Sequence, residues 1–263
     1  MSEPALRLEA VTRRFGGVVA VNNVTLSIAK GEIIGLVGPN GAGKTTLVNL
    51  VTGFVGKTSG QVFFEGADIT HLAPHEIARQ GIARTFQIVQ PFSEMTVLEN
   101  VMAGALFAGK RSMKEAAEQA RDHLEFVGLG RFATYPASDL SLANRKRLEL
   151  AKSLAMSPRL LFLDEVNAGL NSGELDHALD LINKIAASGV TIVIIEHLLR
   201  VVISLVRRLI VLHQGAMLSD GRPLEVLNDP VVIKAYLGTK FGQRHQAELE
   251  RQREKYQQQI GRA

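Results

Sequence analysis

Glu32-Ile33-Ile34-Gly35-Leu36-Val37-Gly38-Pro39-Asn40-Gly41-Ala42-Gly43-Lys44-Thr45-Thr46 decides how the rest of the sequence is read. An apolar run of strand length is followed by the spacing G-x-x-x-x-G-K-[ST], and Leu47, Val48 and Leu50 then continue at helical intervals. Strand, glycine-rich loop and helix are the parts of a phosphate cradle. Glycines let the backbone approach an anion without a Cβ in the way, and successive N–H groups converge on its oxygens. The helix that opens near Gly43 directs its positive end at the same point. Lys44 is placed to reach the β- and γ-phosphates, and the Thr45 hydroxyl to ligate Mg²⁺. The stretch implies a nucleoside triphosphate site.

Outward from this loop, the N-terminal side alternates as strands do: Leu6, Leu8, Val11, then Val18, Val19, Val21, then Val24, Leu26, Ile28. Gly16-Gly17 and Lys30-Gly31 separate them, so an antiparallel lead-in is expected. Residues 60–66 form another short strand, and Pro74 starts a short helix over 74–80. From Thr96 to Met156 the period becomes helical. Met113, Ala116, Ala117, Ala120, Leu124 and Val127 share one face, with Ser112 as N-cap and Gly128 as stop. A second helix follows Ser141 and ends before Pro158. Strand–helix alternation then resumes: residues 160–165, a helix over 174–187, strand 190–195, and two strands at 209–212 and 216–218 joined by His213-Gln214-Gly215. Apolar strands alternating with helices indicate an α/β parallel sheet covered on both faces. The division expected is an α/β core of residues 1–91 and 158–240, an inserted helical subdomain of residues 92–157, and a polar tail of residues 241–263. That tail is either a solvated helix or disordered.

Composition sets bounds. The chain has 263 residues, 46% hydrophobic and 21% charged, which suits a globular protein with a full core. With no cysteine there is no disulfide framework and no thiolate metal site. Met1-Ser2-Glu3-Pro4 lacks the basic and apolar regions of a secretory signal. No apolar run approaches the ~20 residues of a membrane span. The net charge of +4 is scattered, and with 5% aromatics and no tryptophan there is no stacking stripe for bases. No nucleic-acid partner is expected.

Leu160 to Asp164 is a buried strand ending in two carboxylates. Downstream of a phosphate loop, Asp164 can hold Mg²⁺ and its water shell, and Glu165 can act as general base toward water. Leu140-Ser141-Leu142-Ala143-Asn144 opens a helix just before that strand. Gln87 follows Arg84-Thr85-Phe86, and His197 follows strand 190–195. In this order the motifs resemble those of the ATP-binding-cassette family of transport ATPases, over roughly residues 6–240.

The resemblance implies a P-loop NTPase sheet with ATP and Mg²⁺ as cofactors. It also implies a head-to-tail dimer, with two ATP molecules between the phosphate loop of one protomer and the Ser141 helix of the other. By position, Gln87 resembles the residue that senses Mg²⁺ and the attacking water, and His197 the γ-phosphate clamp. Phe15 resembles the aromatic that stacks on adenine, although it also suits a core position of the lead-in sheet. Ala168-Gly169-Leu170-Asn171 stands where the protomers communicate. The chain departs from the family where Leu142-Ala143-Asn144 replaces Gly-Gly-Gln; Ala143 still supplies its N–H. It departs again at Val166-Asn167, where proline often stands, and at Asn171, where an acid is common. These departures bear on rate and coupling rather than on binding.

Gly81-Ile82-Ala83-Arg84-Thr85-Phe86-Gln87, Val97-Leu98-Glu99-Asn100-Val101 and Ala235-Tyr236-Leu237-Gly238 resemble the ATP-binding subunits of branched-chain amino-acid importers, and urea-type importers share them. The resemblance implies a peripheral subunit on the cytoplasmic face of the inner membrane. It would carry a second cassette subunit, two permease subunits and, indirectly, a soluble substrate-binding protein. Gln90, Pro91, Phe92 and Met95 are the expected permease contacts. A lipopolysaccharide exporter ATPase and a non-transport cassette are the alternatives. The sequence leaves the transported solute open, as no residue of this chain need touch it, and leaves open whether the partner cassette is a second copy.

Overall fold

The computed structural model describes residues 3–86, 89–109, 111–164, 171–196 and 199–235. Ten strands are described: β1 (Leu6–Phe15), β2 (Val18–Ile28), β3 (Ile33–Val37), β4 (Ser59–Phe64), β5 (Ala67–Asp68), β6 (Ile82–Arg84), β7 (Leu160–Asp164), β8 (Thr191–Ile195), β9 (Arg208–His213) and β10 (Ala216–Gly221). The helices are α1 (Lys44–Val51), α2 (Pro74–Arg79), α3 (Val97–Gly109), α4 (Met113–Phe126), α5 (Leu142–Ala155), α6 (Ser172–Ala187), α7 (Leu199–Leu205) and α8 (Pro223–Asn228).

Two sheets divide the strands. The lead-in is a four-stranded antiparallel sheet in the order β2-β1-β4-β5. The second has six strands in the order β10-β9-β3-β8-β7-β6, parallel from β9 to β6 with β10 antiparallel at one edge. Both faces of its inner strands are buried. Leu160 and Phe162 of β7 join a core shared with the lead-in sheet and α1, while Leu161 and Leu163 join the core under α5 and α6. This two-sided burial is why β3, β7 and β8 read as continuous apolar runs rather than alternating ones.

Between β6 and β7 the chain forms α3, α4 and α5. Ser112 and Ser141 cap α4 and α5 by accepting from the N–H groups of Glu115 and Asn144. Gly128 follows α4 at φ 75, the left-handed conformation that stops a helix. Ala116, Ala120, Leu124 and Val127 are fully buried as the periodicity predicts, whereas Met113 is 63% exposed at the first turn. A first-turn residue lies beyond the reach of the helices that cover the rest of that face. The helix expected over 174–187 begins two residues earlier, at Ser172, because Asn171 and Glu174 form a reciprocal cap. The tail from residue 236 onward lies outside the described residues. No described helix is long and apolar enough to cross a membrane.

Candidate nucleotide site

The parallel pairing sets the site's geometry. Leu36 of β3 and Asp164 of β7 both lie level with Ile195 of β8, which runs between them. The phosphate loop therefore leaves the sheet at the same edge as the carboxylate, with β8 as spacer. A cavity of about 540 Å³ opens there, lined by residues 18–20 and 40–46, Asp164, Ile195 and Gln214. A crevice at the carboxyl ends of parallel strands is where open α/β sheets bind ligands.

The loop's backbone is built for close approach. Gly38, Gly41 and Gly43 adopt φ 155, 78 and 102. A Cβ on Gly43 would collide with the Ala20 carbonyl oxygen, and one on Gly38 with the Leu212 carbonyl oxygen. The N-terminus of α1 carries no side-chain cap, unlike α4, α5 and α6, and no acid in its first turn, unlike α4 and α6. Its N–H groups and positive dipole end are left for an anion. Lys44 is 7% exposed, and its Nζ donates to the carbonyls of Gly38 at 2.7 Å and Pro39 at 3.1 Å. The ammonium is thus held within the loop by the loop's own carbonyls.

Asp164 is 4% exposed at the end of β7. Its N–H donates to the Thr85 hydroxyl at 3.0 Å, and its carboxylate accepts from Arg84 at 3.2 Å. Arg84 ends β6 and also donates to the side-chain amide oxygen of Asn49 on α1. Burial lowers the Arg84 pKa and Asp164 raises it back in part, and the guanidinium stays protonated at any ordinary pH. Among the described residues no three His, Cys, Asp or Glu side chains cluster as a protein cage for a metal. The donor set is instead one buried carboxylate and the Thr45 hydroxyl beside a phosphate cradle. That set suits Mg²⁺, which binds through one or two protein oxygens, waters and the substrate phosphates.

Of the residues singled out from sequence, Asn40, Gly41, Ala42, Gly43, Lys44, Thr45, Thr46 and Asp164 line this cavity together. Phe15 stands at the end of β1, paired with Val18 of the cavity wall; it is 45% exposed, with Arg13 over its ring at 4.4 Å. Ser141 and Ala143 do not line the cavity. Ala143 faces a separate crevice between α5 and α6. Gln87, Glu165, His197 and residues 168–170 lie outside the described residues. Sequence reading gave no role to Val18, Gln214, Asn49 or Arg84. The first two reach the site through a hairpin and a turn far apart in sequence; Arg84 meets Asp164 because β6 pairs with β7, and Asn49 reaches it from α1.

The profile of the family described as ABC transporter matches residues 21–168. The one described as branched-chain amino acid ATP-binding cassette transporter matches residues 216–242. The high-affinity branched-chain amino acid transport ATP-binding protein BraF of Pseudomonas aeruginosa is 42% identical over 253 residues, covering 90% of this chain and 99% of BraF. LivG of Escherichia coli strain K12, with the same kind of name, is 40% identical over 253 residues with the same coverage. Among solved structures, the ADP conformation of an ATP-binding cassette of an ABC transporter matches with a TM-score of 0.81 at 35% identity, over 89% of this chain and 99% of that one. A dimeric cassette bound to ADP and phosphate after hydrolysis matches with a TM-score of 0.75 at 27% identity, over 83% of this chain and 98% of that one. Phosphate cradle, carboxylate strand and these likenesses agree: the chain belongs to the ABC transporter family, as an ATP-binding cassette with an ATPase site.

Proposed function

We propose that this cassette powers uptake of branched-chain or related amino acids through separate permease subunits, at the cytoplasmic face of the inner membrane. The observation that carries the reading is the cavity that joins residues 40–46 to Asp164, in a chain so similar to BraF and LivG along its length. Residues 92–157 are read as the helical arm and residues 1–91 with 158–240 as the ATP-binding core.

In this reading the loop N–H groups, the α1 dipole and Lys44 hold the triphosphate, and the Phe15 ring with Val18 offers adenine an apolar face. Thr45, Asp164 and Gln87 would hold Mg²⁺, which supplies charge neutralisation on the phosphate oxygens. Glu165 takes a proton from the attacking water, and His197 orders the γ-phosphate. Ser141 and Ala143 do not reach their own chain's cavity, which supports their serving a second cassette subunit in a head-to-tail dimer. The hydroxyl and the N–H groups of that helix start suit a γ-phosphate. Binding energy then closes the pair, and hydrolysis lets it reopen.

The permease surface is read at Phe54, Phe86 and Phe92, which are 55, 40 and 54% exposed. Exposed apolar rings of this kind mark an interface. Phe54 and Phe86 meet edge to face, with centroids 5.7 Å apart. Gln90 is exposed, and Pro91 and Met95 are half-buried. The fully buried Asn100 exchanges hydrogen bonds with the Phe92 backbone at 2.9 and 3.0 Å, which fixes this loop on α3.

The test is reconstitution with the permeases that co-purify with the chain, followed by ATP turnover with a leucine-loaded binding protein. Stimulation by leucine and none by urea is the expected result. A membrane partner that extracts lipopolysaccharide would overturn the importer reading.

A further inference from the structure

Arg84 ties together three parts of the molecule that the proposed cycle treats separately. Its guanidinium reaches the Asp164 carboxylate at 3.2 Å and, through another nitrogen, Asn49 of α1. Asn49 lies one helical turn beyond Thr45, on the same face. Arg84 thus bridges the two elements that carry the metal donors. Its outer side lies against the exposed aromatic pair, with the guanidinium carbon 4.6 Å from the Phe86 centroid and 5.8 Å from that of Phe54. From α5, Ser153 donates to the Arg84 carbonyl at 3.1 Å.

The pair is deeply buried, with side chains 8% exposed at Arg84 and 5% at Asp164. A carboxylate so desolvated needs a nearby positive charge. The arginine can supply one before the metal arrives, and the metal supplies one afterwards. Two cations addressing one carboxylate compete, so their bindings are linked. A planar fork that loses one acceptor must reorient, and here any reorientation alters its packing on Phe54 and Phe86.

The geometry points to Arg84 as a resident counter-cation of Asp164 and a positioning residue. It competes with Mg²⁺ for that carboxylate, and its response to metal loading is passed to the Phe54–Phe86 surface. This inference rests on the reading of Asp164 as a metal ligand. The residue touches neither the reacting atoms nor the metal; it acts through Asp164 and through the rings.

The chain has no tryptophan, so Phe54→Trp places one fluorophore on the surface in question. In that background, ADP affinity is measured at a series of Mg²⁺ concentrations, and tryptophan emission is followed as Mg²⁺ is titrated into protein saturated with ADP. Expected for the otherwise unaltered protein is tighter ADP binding with Mg²⁺ and a matching emission change. Arg84→Met keeps the aliphatic stem but removes the charge. It should lower the half-saturating Mg²⁺ concentration by on the order of tenfold and abolish the emission change. Arg84→Lys keeps the charge without the fork. Its Mg²⁺ dependence should stay close to that of the parent while the emission change fades, which gives a reading if the methionine variant does not fold. An unaltered Mg²⁺ midpoint in Arg84→Met, or an unaltered emission change in Arg84→Lys, overturns the inference and leaves the metal site standing. If Mg²⁺ has no effect on ADP binding even with Arg84 present, both the metal reading and the inference fall.

Discussion

The Lys44 ammonium donates to the carbonyl of Gly38 at 2.7 Å, so the loop's lysine is folded back onto the first glycine of its own loop. This bond satisfies a buried charge and fixes its position where the phosphates arrive. Lys44→Ala removes the point charge and leaves the loop carbonyls facing an anion. We expect nucleotide binding to be lost, as read by titration with a fluorescent nucleotide, while the fold survives by circular dichroism.

Glu165 follows the buried Asp164 directly in sequence, next to the strand end that lines the cavity. Glu165→Gln keeps the shape and removes the base. Turnover should fall by roughly 10²–10⁴ with ATP affinity nearly intact. Undiminished phosphate release would remove Glu165 from the mechanism.

Gly43 stands at φ 102 with the Ala20 carbonyl where a side chain would begin. Gly43→Ala therefore meets both a backbone strain and a backbone clash. The strain alone costs on the order of 1–3 kcal/mol, which in a chain of this size lowers Tm by several degrees. Calorimetry should show that loss, and nucleotide titration a weaker affinity because the α1 N-terminus is displaced.

Ser141 accepts from the Asn144 N–H at 3.3 Å, and Ser112 does the same for Glu115 at 3.3 Å. Removing either hydroxyl should cost about 1 kcal/mol of stability. The two differ in what else they do. In a Glu165→Gln background, ATP-dependent dimerisation measured by light scattering should weaken with Ser141→Ala and stay unchanged with Ser112→Ala. Equal effects would place Ser141 outside the ATP sandwich.

His123 on α4 is partly buried, and its Nε2 has no hydrogen-bond partner among the described residues. Burial pulls its pKa below the ordinary 6.5, with Asp122 opposing and Arg111 assisting. The unfolded chain thus binds this proton more readily than the folded one, so the folded state loses stability as pH falls below 6.5 and on through the depressed folded value. His123→Leu should flatten that part of the Tm-against-pH curve measured by calorimetry between pH 7.5 and 5.0. An unchanged slope would assign the acid sensitivity to other groups.

Much of this was legible in the chain itself. The lead-in strands, the apolar strands before the phosphate loop and at 160–164 and 191–195, the cap at Ser112, the helix start at Ser141 and the cradle of Gly38 to Thr46 follow from local signals. Each rests on neighbours within about four positions, where periodicity, φ preference and capping act. Met113 shares the apolar face by period yet is exposed, because one period describes a buried face and its first turn alike; only the packed neighbours separate them.

Sequence by itself determined that a buried strand, a glycine-rich loop and a helix would bind phosphate, and that an acidic strand end would follow. Tertiary structure alone decided that β8 lies between β3 and β7, which sets the spacing of loop and carboxylate. It likewise decided that Arg84 meets Asp164, 80 residues away. Strand order and register come from the burial of whole faces against distant elements, and that free energy is not written in any short run of residues.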